Sequence, residues 1–246
     1  MFKKINTKNL VFCVAIGAKV NDPNAWMKYA EDQVRGDRSQ AQILMEIITP
    51  EWRRELEIQS DVDGKKMALS TINSPAKEKG IRTLRLDNSM WNYFPKLKRK
   101  VAVSSSMLLS SWMGSDFTND DILKASSMYD DYTHLFAIQA QTKDGKYRVI
   151  VNKAKGDAAV MWPTIVSYMD EKDCLPRLYR YYDKDNKLHR TLTFSDIKTF
   201  EGHKLPTVWV MRPQDDKTKM TVIRYQDIKY SVKFSPTYFS HANLTK

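Results

Sequence analysis

Between residues 22 and 36 the apolar positions recur every three or four residues, so that Trp26, Tyr29, Ala30 and Val34 share one side of a predicted helix. Asp22-Pro23 supplies a cap and a first-turn residue, and Gly36 supplies the stop. Beyond it the period changes to two. Trp52, Leu56 and Ile58 alternate with Arg53, Glu55, Glu57 and Gln59, and Met67 and Leu69 alternate with Lys66 and Ser70. Each of these strands therefore has one apolar and one wet face. Asp61-Val62-Asp63-Gly64 carries the Asp-Gly signal of the hairpin between them. The alternation resumes at Phe136 and at Val149 and Val151, across a turn at Lys143-Asp144-Gly145-Lys146. Further strands are predicted near 164–170, 176–183, 187–195, 205–212 and 218–228. So many short strands separated by turn signals predict a mainly β chain with a few helices and an antiparallel sheet. No repeat, low-complexity tract or Pro-rich linker divides it, which predicts a single domain over residues 18–246.

The stretch that interrupts the alternation is the most informative. Met107-Leu108-Leu109 and Trp112-Met113 form a flexible apolar surface broken only by serines, with Gly114 as a hinge. Thr118 with Asp121 three positions on makes a capping box, and Asp120 and Asp121 suit the positive end of the helix that begins there. Such a segment either plugs a core or covers an apolar cavity.

Trp91-Asn92-Tyr93-Phe94-Pro95, the basic run after it, and Trp112-Met113-Gly114-Ser115-Asp116-Phe117-Thr118-Asn119-Asp120-Asp121 resemble the bacterial outer-membrane lipoprotein-sorting protein family, related in fold to the LolA and LolB lipoprotein carriers. The downstream strands, including Leu175-Pro176 and Leu192-Thr193-Phe194-Ser195, extend the resemblance over roughly residues 22–230. It implies a strongly curved antiparallel sheet, an incomplete β-barrel closed by an apolar helical lid, whose hollow shields acyl chains in the periplasm. It also implies lipid or lipoprotein acyl chains as ligand and an inner-membrane transporter as a partner. The arginine that latches the lid in such carriers has no unique counterpart, because Arg54, Arg82 and Arg85 all lie on predicted strands.

Lys3, Lys4 and Lys8 precede the apolar run Leu10–Ile16, and Ala15-Ile16-Gly17 places small residues where a signal peptidase cuts. Residues 1–17 are therefore expected to be a secretory signal and the mature protein to be periplasmic. Cleavage would remove Cys13 and leave Cys174 alone, without an internal disulfide. The net charge of +11 drops to +8 with the loss of the three lysines. A basic chain attracts anionic membrane or nucleic acid, and export argues against nucleic acid.

The chain has none of the motifs Gly-x-Ser-x-Gly, His-Glu-x-x-His or Gly-x-x-x-x-Gly-Lys-Ser/Thr, so the usual hydrolase, metalloprotease and phosphate-loop chemistries have no anchor. His134, His189, His203 and His241 are scattered, and no metal or cofactor is expected. Asp183–Lys187 imitates the opening of a calcium loop, but Leu188 and Phe194 stand where Gly and Glu are needed, so it reads as a polar hairpin turn. Cys174 and Ser104–Ser106 have no base nearby in sequence, and no catalytic residue is expected.

A curved amphipathic sheet can fill its inner face with its own side chains or leave it open for a ligand. Alternation alone does not separate the two. The methionine-bearing segment and the resemblance favour a cavity, because methionine adapts to differing apolar ligands. The expected lining and lid residues are Trp52, Leu56, Ile58, Met67, Leu69, Leu84, Leu86, Trp91, Tyr93, Met107, Leu108, Leu109, Trp112 and Met113. Lys96, Lys98, Arg99 and Lys100, next to Trp91 and Tyr93, are expected to dock on anionic membrane, or to guard an exposed strand edge. The expected function is a non-catalytic periplasmic carrier of acyl chains. The alternative is a sensor or accessory domain of the same fold that binds a protein partner and transports nothing.

Overall fold

A computed structural model of the protein describes residues 21–125, 128–142, 145–156 and 158–246. Residues 1–20, with the expected signal, and part of the turn expected at Lys143–Lys146 lie outside the described residues. Helix α1 spans Pro23–Arg35: the Asp22 carboxylate accepts from the Asn24 N–H at 2.9 Å, and Gly36, at φ 60°, ends the helix. A Cβ at Gly36 would lie 2.7 Å from the Tyr230 ring, so the position needs glycine for space as well as for its backbone angle.

The strands β1 (Arg38–Ile48), β2 (Arg53–Asp63), β3 (Met67–Ser74), β4 (Arg82–Leu86), β5 (Ser89–Phe94) and β6 (Arg99–Ala102) form a first meander. A second runs through β7 (Tyr132–Thr142), β8 (Gly145–Ala154), β9 (Thr164–Asp170), β10 (Pro176–Tyr182), β11 (Leu188–Phe200), β12 (His203–Pro213) and β13 (Met220–Tyr230). Antiparallel pairing of β1 with β13 joins the two into one 13-stranded sheet whose edges are β6 and β7. The sheet is antiparallel throughout and does not close.

Register decides which side chains face inward. Cross-strand partners point to the same face, so Tyr179 opposite Leu192, Phe194 opposite Trp209, and Met45 opposite Leu56 align in rows. Helix α1 buries Trp26, Met27 and Ala30, with the Trp26 ring edge-on to Phe136 at 5.9 Å. Burying a side chain such as Met27 contributes about 1.5–3 kcal/mol. Two short helices, α2 (Asn119–Leu123) and α3 (Met128–Asp131), follow the segment between the meanders. The Asp183–Lys187 turn is capped by the Asp183 carboxylate, which accepts from the backbone N–H groups of Asp185 and Lys187.

The outer face of β3–β5 is also buried. Leu69 and Leu84 are 2% and 0% exposed beneath Phe239 and Leu244 of the C-terminal segment, whose helix α4 spans His241–Leu244. Arg82 donates to the Asn243 carbonyl at 2.6 Å, and the Tyr238 hydroxyl donates to the buried Asp61 carboxylate at 2.7 Å. Cys174 is buried in the cluster around Trp26, Met27 and Met169. The chain's other cysteine, Cys13, lies outside the described residues.

Candidate functional site

Inside the curve of the sheet lies a cavity of about 340 Å³. That is within the usual range for a small-molecule site. Its walls come from both meanders: Ala41, Ile43, Met45, Ile58, Ser60, Val62, Ala68, Ser70 and Arg85 from β1–β4, and Ile165, Tyr179, Tyr181, Leu192, Phe194, Trp209, Met211, Ile223 and Tyr225 from β9–β13. Met27, Ala30 and Val34 of α1 contribute on one side, and Trp112, Phe117 and Ile122 of the connecting segment on another. Burial pushes the Tyr179, Tyr181 and Tyr225 hydroxyls well above the usual tyrosine range, because a phenolate would be poorly solvated there. Among the described residues no group of three or more His, Cys, Asp or Glu could hold a metal ion, and no helix is long and apolar enough to cross a membrane.

The segment 105–125 is not the helical lid expected from the sequence. It consists of two 3-10 turns, Ser105–Met107 and Trp112–Gly114, a bridge between Ser111 and Thr118, and the five-residue α2. The expected capping box is present: Asp121 accepts from the Thr118 N–H at 2.7 Å and its own N–H reaches Thr118 Oγ1 at 3.2 Å. Side chains of the sheet hold the segment down. Arg190 of β11 pairs with both Asp121 oxygens, one at 2.7 Å, while its guanidinium stacks 4.4 Å from the Trp162 ring and 4.5 Å from that of Tyr181. Burial works against the Arg190 charge, but Asp121 outweighs it and the guanidinium pKa is raised. Arg54 donates to the Met113 carbonyl, Arg85 to the Leu123 carbonyl at 3.0 Å, and Thr221 exchanges hydrogen bonds with the Asp116 N–H and carboxylate. Gly114, read as a hinge, is instead clamped: it sits at φ 72°, and a Cβ would come within 3.0 Å of Arg54.

Of the fourteen expected lining residues, the structure places Ile58 and Trp112 on the cavity. Trp112 is 5% exposed, packs among Met45, Ile47, Leu56 and Ile72, and donates its indole N–H to Thr83 at 3.1 Å. It is therefore part of the core and of the cavity wall at once. Leu56 and Met113 belong to the same cluster. Met67, Leu69, Leu84, Leu86, Trp91 and Tyr93 lie on the opposite face, beneath the C-terminal segment. Trp52 and Leu109 are exposed, and Met107 and Leu108 are half-buried. The aromatic wall of β9–β13 was missed, although Leu192/Phe194 and Trp209/Met211 show the same two-residue alternation.

A second, polar cleft of about 540 Å³ is lined by Lys65, Lys66, Arg85, Lys124 and Lys155 with Asp87, Asp130 and Asp131. Lys65 pairs with Asp130 at 2.5 Å, Lys66 with Asp87 at 3.0 Å and Lys124 with Asp131 at 3.5 Å. It is too polar to shelter a hydrocarbon. Lys96, Lys98, Arg99 and Lys100 are all exposed, beside and on the edge strand β6.

A family model described as "Uncharacterized protein" matches residues 64–246. The chain belongs to that family. Its fold is that of the LolA superfamily. A LolA superfamily protein from Nitrosomonas europaea superposes with a TM-score of 0.77 at 18% identity, over 90% of this chain and 98% of that one. A putative outer membrane lipoprotein-sorting protein domain from Vibrio parahaemolyticus gives 0.79 at 18% identity, over 93% and 100%. A DUF1329 family protein from Desulfovibrio piger gives 0.80 at 23% identity, over 91% and 99%. No curated protein matches the chain.

Proposed function

We propose that the protein binds acyl chains of a lipid or lipoprotein in this cavity and carries them between membrane sites across the periplasm, without covalent chemistry. The observation that supports it is an apolar space left open on the inner face of the sheet, between an aromatic wall and a wall of aliphatic and small side chains. Each methylene withdrawn from water is worth about 0.8 kcal/mol, so one long acyl chain costs on the order of 10 kcal/mol if exposed. A diffusing carrier must match that surface and still release it. In this reading the segment 105–125 is the movable cover, held by Arg190, Arg54 and Arg85. Lys96, Lys98, Arg99 and Lys100 are the membrane-docking face.

Native mass spectrometry of protein purified without detergent tests the carrier reading. Reproducible lipid-sized adducts are the expected result. A clean apo mass, with no uptake of offered lipid, would favour the non-transporting accessory domain. Export has its own measurement, because cleavage after Gly17 removes Cys13, the one residue that could bridge to Cys174 within the chain. A mature mass starting at Ala18 or Lys19 supports cleavage, and an unshortened chain with an intact internal bridge overturns it.

A further inference from the structure

Tyr179, Tyr181 and Tyr225 line the cavity, and their hydroxyls have no hydrogen-bond partner among the described residues. Tyr132 is the contrast: its hydroxyl donates to the Trp162 carbonyl at 2.8 Å. The strands decide where the three free hydroxyls stand. Tyr179 and Tyr181 are two positions apart on β10 and so share the inner face. From Tyr179 the rings of Phe194, Trp209 and Tyr225 follow one another across β11, β12 and β13, with centroids 4.8, 5.3 and 5.3 Å apart. This row of rings is apolar in the middle and carries a hydroxyl at each end. Tyr181, 7% exposed, stands beside it, with its ring edge-on to Trp162 at 5.8 Å. Ser60 and Ser70, directly opposite each other across the β2–β3 pair, add two hydroxyls to the facing wall.

Burial raises the pKa of all three phenols, so each keeps its proton and remains a donor. A donor withdrawn from bulk water without an acceptor costs free energy, which a ligand oxygen at hydrogen-bond distance recovers. The charge of the wall selects among such oxygens. Its described ionic groups balance, with Glu31, Asp120 and Asp121 against Arg35, Arg85 and Lys124. An ionised carboxylate would be desolvated there against no net opposite charge, and a bare hydrocarbon offers no acceptor at all. An ester carbonyl accepts a hydrogen bond without bringing a charge.

We infer that the cargo is bound as a neutral acyl ester, with the ester carbonyl drawn into the cavity beside its chain and hydrogen-bonded by the hydroxyls of Tyr179, Tyr181 and Tyr225. The inference rests on the carrier reading and narrows its ligand class. It places the linkage of the acyl chain inside the protein, where a carrier of bare hydrocarbon would leave it at the mouth.

Trp112, Trp162 and Trp209 line the cavity and report its occupancy by fluorescence. Titration with methyl octanoate, octanoate and nonane separates ester, free acid and bare chain. Methyl octanoate should bind at least about tenfold more tightly than octanoate, whose charge would have to be desolvated. Tyr179→Phe, Tyr181→Phe and Tyr225→Phe each remove one hydroxyl and keep the ring. The most affected of them should lower the ratio of methyl octanoate to nonane affinity by about two- to tenfold, the equivalent of one neutral hydrogen bond. None of the three should lower the unfolding midpoint, whereas Tyr132→Phe should, because its hydroxyl has a partner to lose. An unchanged ratio in all three variants, or octanoate binding as tightly as its methyl ester, would overturn this inference and leave the carrier reading standing. A midpoint lowered by all three as much as by Tyr132→Phe would show that the hydroxyls are already bonded, and would overturn it too. Binding of none of the three ligands would overturn both readings.

Discussion

In the first meander, β3–β5 turn Leu69, Leu84, Trp91 and their neighbours outward under the C-terminal segment and leave Ala68, Ser70 and Arg85 for the cavity. In the second, β10–β13 turn Tyr179, Leu192, Phe194 and Trp209 inward, while Thr193, Ser195, Arg224 and Gln226 face solvent. One wall of the cavity is thus aliphatic and partly polar, with small side chains on β3, and the other bulky and aromatic. The difference shows where the cavity comes from: the apolar bulk of β3–β5 is spent on the outer face, so the inner face of those strands cannot fill the curve. A sheet with two buried faces in one half and one in the other leaves a hollow between its halves.

If the C-terminal segment is a second core for the first meander, truncating its anchors should give the largest effects. Phe239→Ala is expected to cost about 3–5 kcal/mol and Leu244→Ala about 2–5 kcal/mol, read by denaturant unfolding. Trp112→Ser belongs in the same range, because that ring packs on Met45 and Leu56 as well as on the cavity. A cost below about 1 kcal/mol for the Phe239 and Leu244 changes would mean that the outer face is only loosely covered, and the contrast between the meanders would fail.

The aromatic wall offers a pH test. Burial raises the Tyr132, Tyr179, Tyr181 and Tyr225 hydroxyls, and burial together with Asp61 pushes Tyr238 of the C-terminal segment up to about 12. A tyrosine whose folded pKa lies above the unfolded value of about 10 retains its proton longer in the folded state. Its contribution to stability is complete below pH about 10 and is lost as pH rises through the folded values. Stability should therefore fall steeply above pH about 10, with Tyr238 ionising before the four cavity-side tyrosines. Near-ultraviolet absorbance and circular dichroism followed together check this: ionisation of the cavity-side tyrosines in a still-folded protein would contradict the dry aromatic wall.

Much of this architecture is written locally in the chain. Asp22-Pro23 and Gly36 mark both ends of α1, Thr118 and Asp121 form their capping box, and the later strands fall close to the positions that alternation predicts. What alternation cannot supply is direction. A two-residue period shows that Met67, Leu69, Leu84 and Leu86 share a buried face, but not which side of the sheet that face is on. The answer depends on Phe234–Leu244, some 150 residues further along, which no nearby signal announces. The Arg190–Asp121 pair was hidden for the same reason: it spans 69 residues of sequence, while Arg54, Arg82 and Arg85 lie closer to the segment.

Filling the hollow from its small-residue wall should affect binding more than stability. Ser70 lines the cavity on β3, half-buried, opposite Thr83. Ser70→Phe would place a ring in the space reserved for the ligand, and should reduce fluorescent fatty-acid binding by about tenfold or more while changing unfolding free energy by less than about 1.5 kcal/mol. Unaltered binding in a folded variant would place the ligand elsewhere.

The two meanders also end differently, and the smallest predicted effect lies there. Helix α1 packs against β7, with Trp26 on Phe136, whereas β6 is exposed and continues a run of Lys96, Lys98, Arg99 and Lys100, among which no ion pair occurs with the described residues. Exposed cations on an edge strand discourage pairing with another chain. They also attract an anionic leaflet, at about 1 kcal/mol per basic residue near the surface. Lys98→Glu with Lys100→Glu should therefore weaken sedimentation with anionic vesicles at least tenfold, leave neutral vesicles unaffected, and shift folding stability by no more than about 0.5 kcal/mol. Added salt should imitate the double substitution, since charges at the surface are screened over about 8–10 Å. If vesicle affinity is unchanged but the variant self-associates, the lysines serve only to keep the bare edge of the first meander apart from its neighbours.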